Sequence, residues 1–230
     1  MASDGGGQMI SGNAIDQAGN SATTSVMVSL DKAPPILSMP NLTSTYLYGD
    51  TLPLNFSTSD LLSGVTNMVA TLNGEPISNG NVVTLNKLGI NTFTLSASDR
   101  AGNTSSQTTT FNVVYNFSGV LQPINSDGSS VFKLGSTVPV KFQLKDANGV
   151  YVSTAVAKIY LAKVTDGLTG TELEATSTSS ADTGNTFRYD SSGNQYIFNL
   201  GSKSLSAGTW RIRIDLDDGT LNTVLISLKK

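Results

Sequence analysis

The chain has 230 residues, 14 Lys and Arg against 17 Asp and Glu, and neither His nor Cys. Those two absences exclude Ser-His-Asp and Cys-His nucleophiles, Cys/His zinc sites, disulfides and imidazole proton transfer. A net charge of -3 with 13% charged residues offers no basic stripe, so no nucleic acid is expected as a partner. No apolar run approaches the roughly 18 residues of a membrane span.

The first residues, Met1-Ala2-Ser3-Asp4-Gly5-Gly6-Gly7, are neither the charged nor the apolar region of an export signal. That leaves a cytosolic protein or a piece of a longer exported chain, and the organisation that follows favours the piece. Period-two apolar alternation broken by Asn-Gly, Asp-Gly and other Gly turns predicts strand after strand, with helical periodicity nearly absent. The first element is a hairpin turning at Ala14-Ile15-Asp16-Gln17-Ala18-Gly19-Asn20-Ser21, with Val28 and Leu30 in its second strand. The same octet returns 83 residues later as Ala97-Ser98-Asp99-Arg100-Ala101-Gly102-Asn103-Thr104, followed by Phe111 and Val113. A period of that size suits one immunoglobulin-sized unit. Between the copies, Asp31-Lys32-Ala33-Pro34-Pro35 reads as a linker, because paired prolines end a strand and stiffen a connection.

Val83 and Leu85, then Phe93, Leu95 and Ala97, continue the alternation. Farther on, Val138, Val140, Phe142 and Leu144 oppose Lys141, Gln143 and Lys145; Ala157, Ile159 and Leu161 follow, then Tyr196 and Phe198. Trp210, Ile212, Ile214 and Leu216 turn through Asp217-Asp218-Gly219-Thr220 into Val224, Ile226 and Leu228, a closing hairpin. The expected fold is all-β, made of tandem immunoglobulin-like antiparallel β-sandwiches. Residues 1–32 are the C-terminal hairpin of a preceding repeat plus linker, 33–115 one full sandwich, and 116–230 another.

The residues Ser59-Asp60-Leu61-Leu62-Ser63-Gly64-Val65, Leu72-Asn73-Gly74, Gly89-Ile90-Asn91-Thr92-Phe93 and the octet at 97–104 carry a resemblance. Together they resemble the bacterial immunoglobulin-like repeats of secreted and cell-surface proteins. The C-terminal part is similar to the PxKF module of large exported proteins. Its matching residues are Lys133-Leu134-Gly135-Ser136-Thr137-Val138-Pro139-Val140-Lys141-Phe142, Ala207-Gly208-Thr209-Trp210 and Asp218-Gly219-Thr220. The resemblance implies a secreted or cell-surface setting and a non-catalytic role beside the upstream domains of a parent protein, a polysaccharide-active enzyme or an adhesin.

Fourteen of the 17 acids are Asp, a residue of turns and of hard-cation loops. Asp16 with Asn20, or Asp99 with Asn103, near the linker acid Asp31, offers oxygen ligands for calcium; an Asx-turn with Gly at positive φ explains the same residues without an ion. The Asp60-Leu61-Leu62-Ser63-Gly64-Val65 loop has a similar pair of readings, and a turn with Asp at its start and Gly near its end explains it without an ion. Tyr115, Tyr151, Tyr160 and Tyr189 are free to lie outside, and Tyr151, Tyr160 and Tyr189 are the candidate contacts for a polysaccharide or cell-wall glycan. Acids confined to turns offer no facing carboxylate pair, so no enzyme is expected. Lys141 faces away from Phe142, which argues against a buried Lys-Asn crosslink. The expected function is a spacer module, with a carbohydrate-binding module and a calcium-stiffened adhesin stalk as alternatives.

Overall fold

A computed structural model describes residues 3–230, and among them the chain is all-β, with no helix. The N-terminal strands are β1 (Gly5–Ile15), β2 (Ser21–Leu30), β3 (Ile36–Ser38), β4 (Thr45–Leu47), β5 (Thr51–Leu54), β6 (Ser57–Ser59), β7 (Val65–Leu72), β8 (Glu75–Pro76), β9 (Asn81–Thr84), β10 (Gly89–Asp99) and β11 (Thr104–Val114). Then come β12 (Asn116–Val120), β13 (Val131–Lys133), β14 (Thr137–Lys145), β15 (Ala157–Thr165), β16 (Leu168–Glu174), β17 (Arg188–Asp190), β18 (Gln195–Gly201), β19 (Gly208–Leu216) and β20 (Leu221–Lys229). By contact density the chain forms two units. One holds the residues up to Thr43 with Pro53–Val83 and Asn91–Thr110; the other holds Ser44–Leu52, Thr84–Ile90 and Phe111–Lys230.

The second unit is a sandwich built by alternation. One sheet has the order β12-β14-β18-β17 and the other β13-β20-β19-β15-β16. The register sets Val140 opposite Phe198 and Phe142 opposite Tyr196 in the first, and Ile212 opposite both Leu161 and Val224 in the second. Because side chains alternate between faces, these rows all point inward and merge in one buried cluster with Trp210, Ile214 and Ile226. Lys141, out of phase, is half-buried on the other face. Two short edge pairings, β4 with β11 and β13 with β20, run parallel within an otherwise antiparallel layout, each covering an edge that would stand open.

A tyrosine fixes the chain between β14 and β15. The Tyr196 hydroxyl accepts from Ala155 N-H at 2.9 Å and donates to the Val152 carbonyl at 3.0 Å, 1% exposed. Burial pushes its ionisation up from 10.0 to about 12. A group whose native value is raised stabilises the fold fully below its unfolded value, and that contribution is lost as pH rises through the native value. Stability should therefore fall between pH 10.0 and about 12. Tyr196→Phe strands both backbone partners; it is expected to cost about 1–3 kcal/mol in urea denaturation at neutral pH and to reduce the alkaline fall.

In the first unit β10 governs the packing. It pairs β7 from Phe93 opposite Leu72 to Ser98 opposite Asn67, with the register shifting at Asp99. Its inward row is Asn91, Phe93, Leu95, Ala97 and Asp99, every one buried. The Phe93 and Phe56 rings meet at 5.3 Å. Period two thus carries the row past its apolar members and ends it on a carboxylate. The β1–β2 hairpin, in contrast, keeps every strand residue exposed or half-buried.

Candidate functional site

Asp99 opens the second copy of the repeated turn. Its N-H donates to the Asn103 carbonyl at 3.1 Å, while its two carboxylate oxygens accept from Asn103 N-H and Nδ2, both at 2.8 Å. Gly102, at φ +93°, supplies the left-handed step the turn requires. Asp16 and Asn20 make the same closure at 2.8 Å, with Gly19 at φ +86°. The Asx-turn is therefore present in both copies.

What surrounds the two turns differs. Asn103 Nδ2 reaches the carbonyls of Asp31 and Ala33 at 3.3 Å, and the Ser105 hydroxyl donates to the Pro35 carbonyl. Asp31 Oδ1 accepts from Ala33 N-H at 2.9 Å, and Asp31 Oδ2 from Ser63 N-H at 3.1 Å. Asp60 Oδ1 gathers the N-H groups of Leu62, Ser63 and Gly64 at 3.1, 2.9 and 2.7 Å, with Gly64 at φ +77°. Three chain segments thereby converge: carboxylate oxygens of Asp31, Asp60 and Asp99 lie within 4.8 Å of one another. Asp16 stays apart at the tip of its hairpin.

Among the described residues this is the one group of three or more acids so close together. Ion pairs join Arg188 to Asp182, Arg211 and Arg213 to Glu172, and Arg213 to Asp215, all within the second unit. The hydrogen bonds of the three carboxylates come from neutral groups: backbone N-H, the Asn103 amide and, at Asp60, the Ser63 hydroxyl. Asp99 is 3% exposed, whereas Asp31 and Asp60 are half-buried. A cavity of about 250 Å³ lined by Leu30, Asp31, Leu62, Ser63 and Arg100 opens beside them. Three hard anionic oxygens with two carbonyls nearby are the donor set of calcium rather than of a softer metal.

The sequence named Asp31, Asp99 and Asn103 and missed Asp60 as their companion. Its position at the head of a turn gave no sign that the turn folds against the linker. Near residue 115 the acids are engaged otherwise. Tyr115, expected to be free to lie outside, is 6% exposed, because its strand phase joins it to the core of the second unit. Its N-H donates to Asp218 Oδ2 at 2.8 Å, and Thr220 N-H and Oγ1 donate to Asp218 Oδ1 at 2.8 and 2.6 Å. Burial first, then the Asp217 carboxylate, drives the Tyr115 hydroxyl far up. Asp218 is thus a buried clamp, more than a hairpin tip.

The three candidate glycan tyrosines are not brought together. Tyr189 on β17 stands opposite Tyr196, ring to ring at 5.2 Å, and packs against the core. Tyr160 on β15 lies under the Arg213 guanidinium at 4.7 Å, in the other sheet. Tyr151 bridges to Lys145, whose ammonium stands 4.9 Å from its ring.

No known protein family matches the chain, and no curated protein does. Solved structures similar to it include the N-terminal eight Ig domains of Down Syndrome Cell Adhesion Molecule, at 18% identity and TM-score 0.36, covering 94% of this chain and 27% of that one. Domains 4 and 5 of the S-layer protein SbsC are similar at 12% identity and TM-score 0.29, covering 95% and 90%. Fibronectin(III)-like modules of Clostridium thermocellum CbhA are similar at 14% identity and TM-score 0.27, covering 85% and 94%.

Electrostatics tie the turns to acid stability. At Asp99 burial raises the carboxyl, but hydrogen bonds from the Asn103 side chain and backbone, then Gly102 and Ala101, outweigh it and hold the group below 3.8. At Asp16 the Asn20 side chain and backbone lower it. Native values below the unfolded one mean stabilisation present above 3.8 and lost as pH falls through the native values. Asn103→Ala should raise the Asp99 titration seen by NMR and cost about 1–2 kcal/mol, because linker contacts go with it. Asn20→Ala should raise the Asp16 titration yet change global stability by no more than about 0.5 kcal/mol.

Proposed function

We propose that the chain is a non-catalytic, immunoglobulin-like spacer of a secreted or cell-surface protein, stiffened at its linker by calcium held between Asp31, Asp60 and Asp99. The observation that carries this reading is the meeting of three carboxylates, within 4.8 Å, from three segments distant in sequence. Like charges so placed repel, and a divalent cation turns that repulsion into attraction across all three segments. Asp31, Asp60 and Asp99 would hold the ion, with the Asp31 and Ala33 carbonyls as further oxygen donors toward the six to eight that calcium takes, while Asn103, whose NH2 faces these oxygens, would hold them in place. The ion would fasten residues 31–35 to the 60–64 loop and to the 99–103 turn. A linker with paired prolines is stiff already; fastening it at the end of β2 fixes the direction in which the β1–β2 hairpin leaves. Force or spacing is then transmitted through hydrogen-bonded strands, and the upstream domains of the parent protein are the partners served.

Millimolar calcium should raise the melting temperature by several degrees, and excess chelator should reverse the rise, as expected for an ion binding the native state alone. Asp31→Asn and Asp60→Asn should each remove most of that rise, whereas Asp16→Asn should keep it. A melting temperature indifferent to calcium and chelator would overturn the assignment.

A further inference from the structure

The β1–β2 hairpin carries two methionines where the second copy of the repeat carries threonines. The copies lie 83 residues apart, so Met9 and Met27 correspond to Thr92 and Thr110. These positions belong to the outward rows. Phe93, Leu95 and Ala97, which alternate with the outward residues of β10, are 0–5% exposed, and their counterparts in β1 are Ile10, Gly12 and Ala14. The outward rows match rung for rung: the Ser11 and Ser25 hydroxyls bond at 2.8 Å, and their counterparts Thr94 and Thr108 bond at 3.1 Å. Met9 and Met27 pair directly across the strands, and each is 71% exposed. Core packing does not account for them, because this row lies outside in the copy whose core is complete.

We infer that the Met9–Met27 rung binds a soft monovalent cation, copper(I), between its two thioether sulfurs. Three observations carry the assignment. The Asp16 N-H donates to the Asn20 carbonyl at 2.9 Å, and counting by twos from that pair makes Met9–Met27 a rung without interstrand hydrogen bonds. Rungs of that kind stand closest, at roughly 4.5 Å between Cα atoms. Two unbranched side chains rising in parallel from them set their sulfurs at about the ~4.6 Å span of a linear sulfur–metal–sulfur unit, for bonds near the ~2.3 Å of zinc thiolates. Space beside the rung is kept clear: Gly7 has φ +66°, and a Cβ there would stand 3.3 Å from the Met27 Cε methyl. The donors then decide the metal. A thioether is neutral and polarizable, a poor ligand for calcium or magnesium and a good one for copper(I). With neither His nor Cys in the chain, no stronger soft ligand competes, and with no charged residue in either strand, no carboxylate draws a hard cation to this rung.

Silver(I), a redox-inert probe of the same softness, is titrated into the full chain while the methionine Cε methyls are followed by NMR. The Met9 and Met27 methyls should shift together and saturate at one ion per chain, and copper(I) kept reduced without oxygen should move the same two. Met68, which faces Ala97 across its rung, should stay still at concentrations that saturate the pair. Thioethers carry no titrating proton, so the affinity should hold from neutral pH into the range where carboxylates protonate, unlike binding at Asp31, Asp60 and Asp99. Met27→Thr installs the residue of the second copy, and Met27→Leu keeps the bulk without the sulfur. Both lie on the exposed row, so the fold should be unchanged while silver binding weakens by about tenfold or more. Methyls that titrate independently, more than one ion bound at the pair, or an unchanged affinity in Met27→Leu would refute the site.

Discussion

The phase of β10 is the constraint from which the rest of the first unit follows. Side chains alternate with a period of two, so Asp99 cannot turn outward unless Phe93, Leu95 and Ala97 turn outward with it. Each large apolar side chain in that row contributes about 1.5–3 kcal/mol on burial. The row therefore dictates where its last member goes, and a carboxylate is held at the rim of an apolar interior. Asn103 answers that carboxylate with two donors, and the same amide then extends to the linker carbonyls. Hydrophobic register, a local turn and the placement of a distant segment form one causal chain.

The duplicated turn separates what a motif does from what its surroundings do. Asp16 and Asp99 close their turns with nearly the same hydrogen bonds, and both need a glycine at positive φ. Only at Asp99 do a linker and a second loop arrive, each with an acid of its own. The chemistry of the site belongs to tertiary placement. Asp60 illustrates it best: one of its oxygens is saturated by three N-H groups of its own loop, so its local role is complete before any neighbour is considered.

Strands were the most legible part of the sequence, because alternation and glycine turns are short-range signals with a direct physical meaning. Val138 to Leu144, Trp210 to Leu216 and the closing hairpin fall where the pattern puts them. The site was legible in half. Asp31, Asp99 and Asn103 could be named because the repeat drew attention to them, whereas Asp60 entered through a fold-level approach that no spacing encodes. Tyr115 and Asp218 show the same limit: 103 residues apart, they are joined by a bond that only the closed second unit creates. The parallel edge pairings were hidden for a related reason, since alternation gives the face of a strand and says nothing of its direction.

The hairpin has one more property, and it follows from what is missing. Neither Gly5–Ile15 nor Ser21–Leu30 contains a single charged residue. Most exposed strands carry lysines or acids whose repulsion keeps foreign strands away and whose strength depends on ionic surroundings. The strands themselves have no such guard, and the acid that closes the hairpin, Asp16, sits at its tip. Neutral strands with free edges leave such a hairpin open to pairing with strands of any charge.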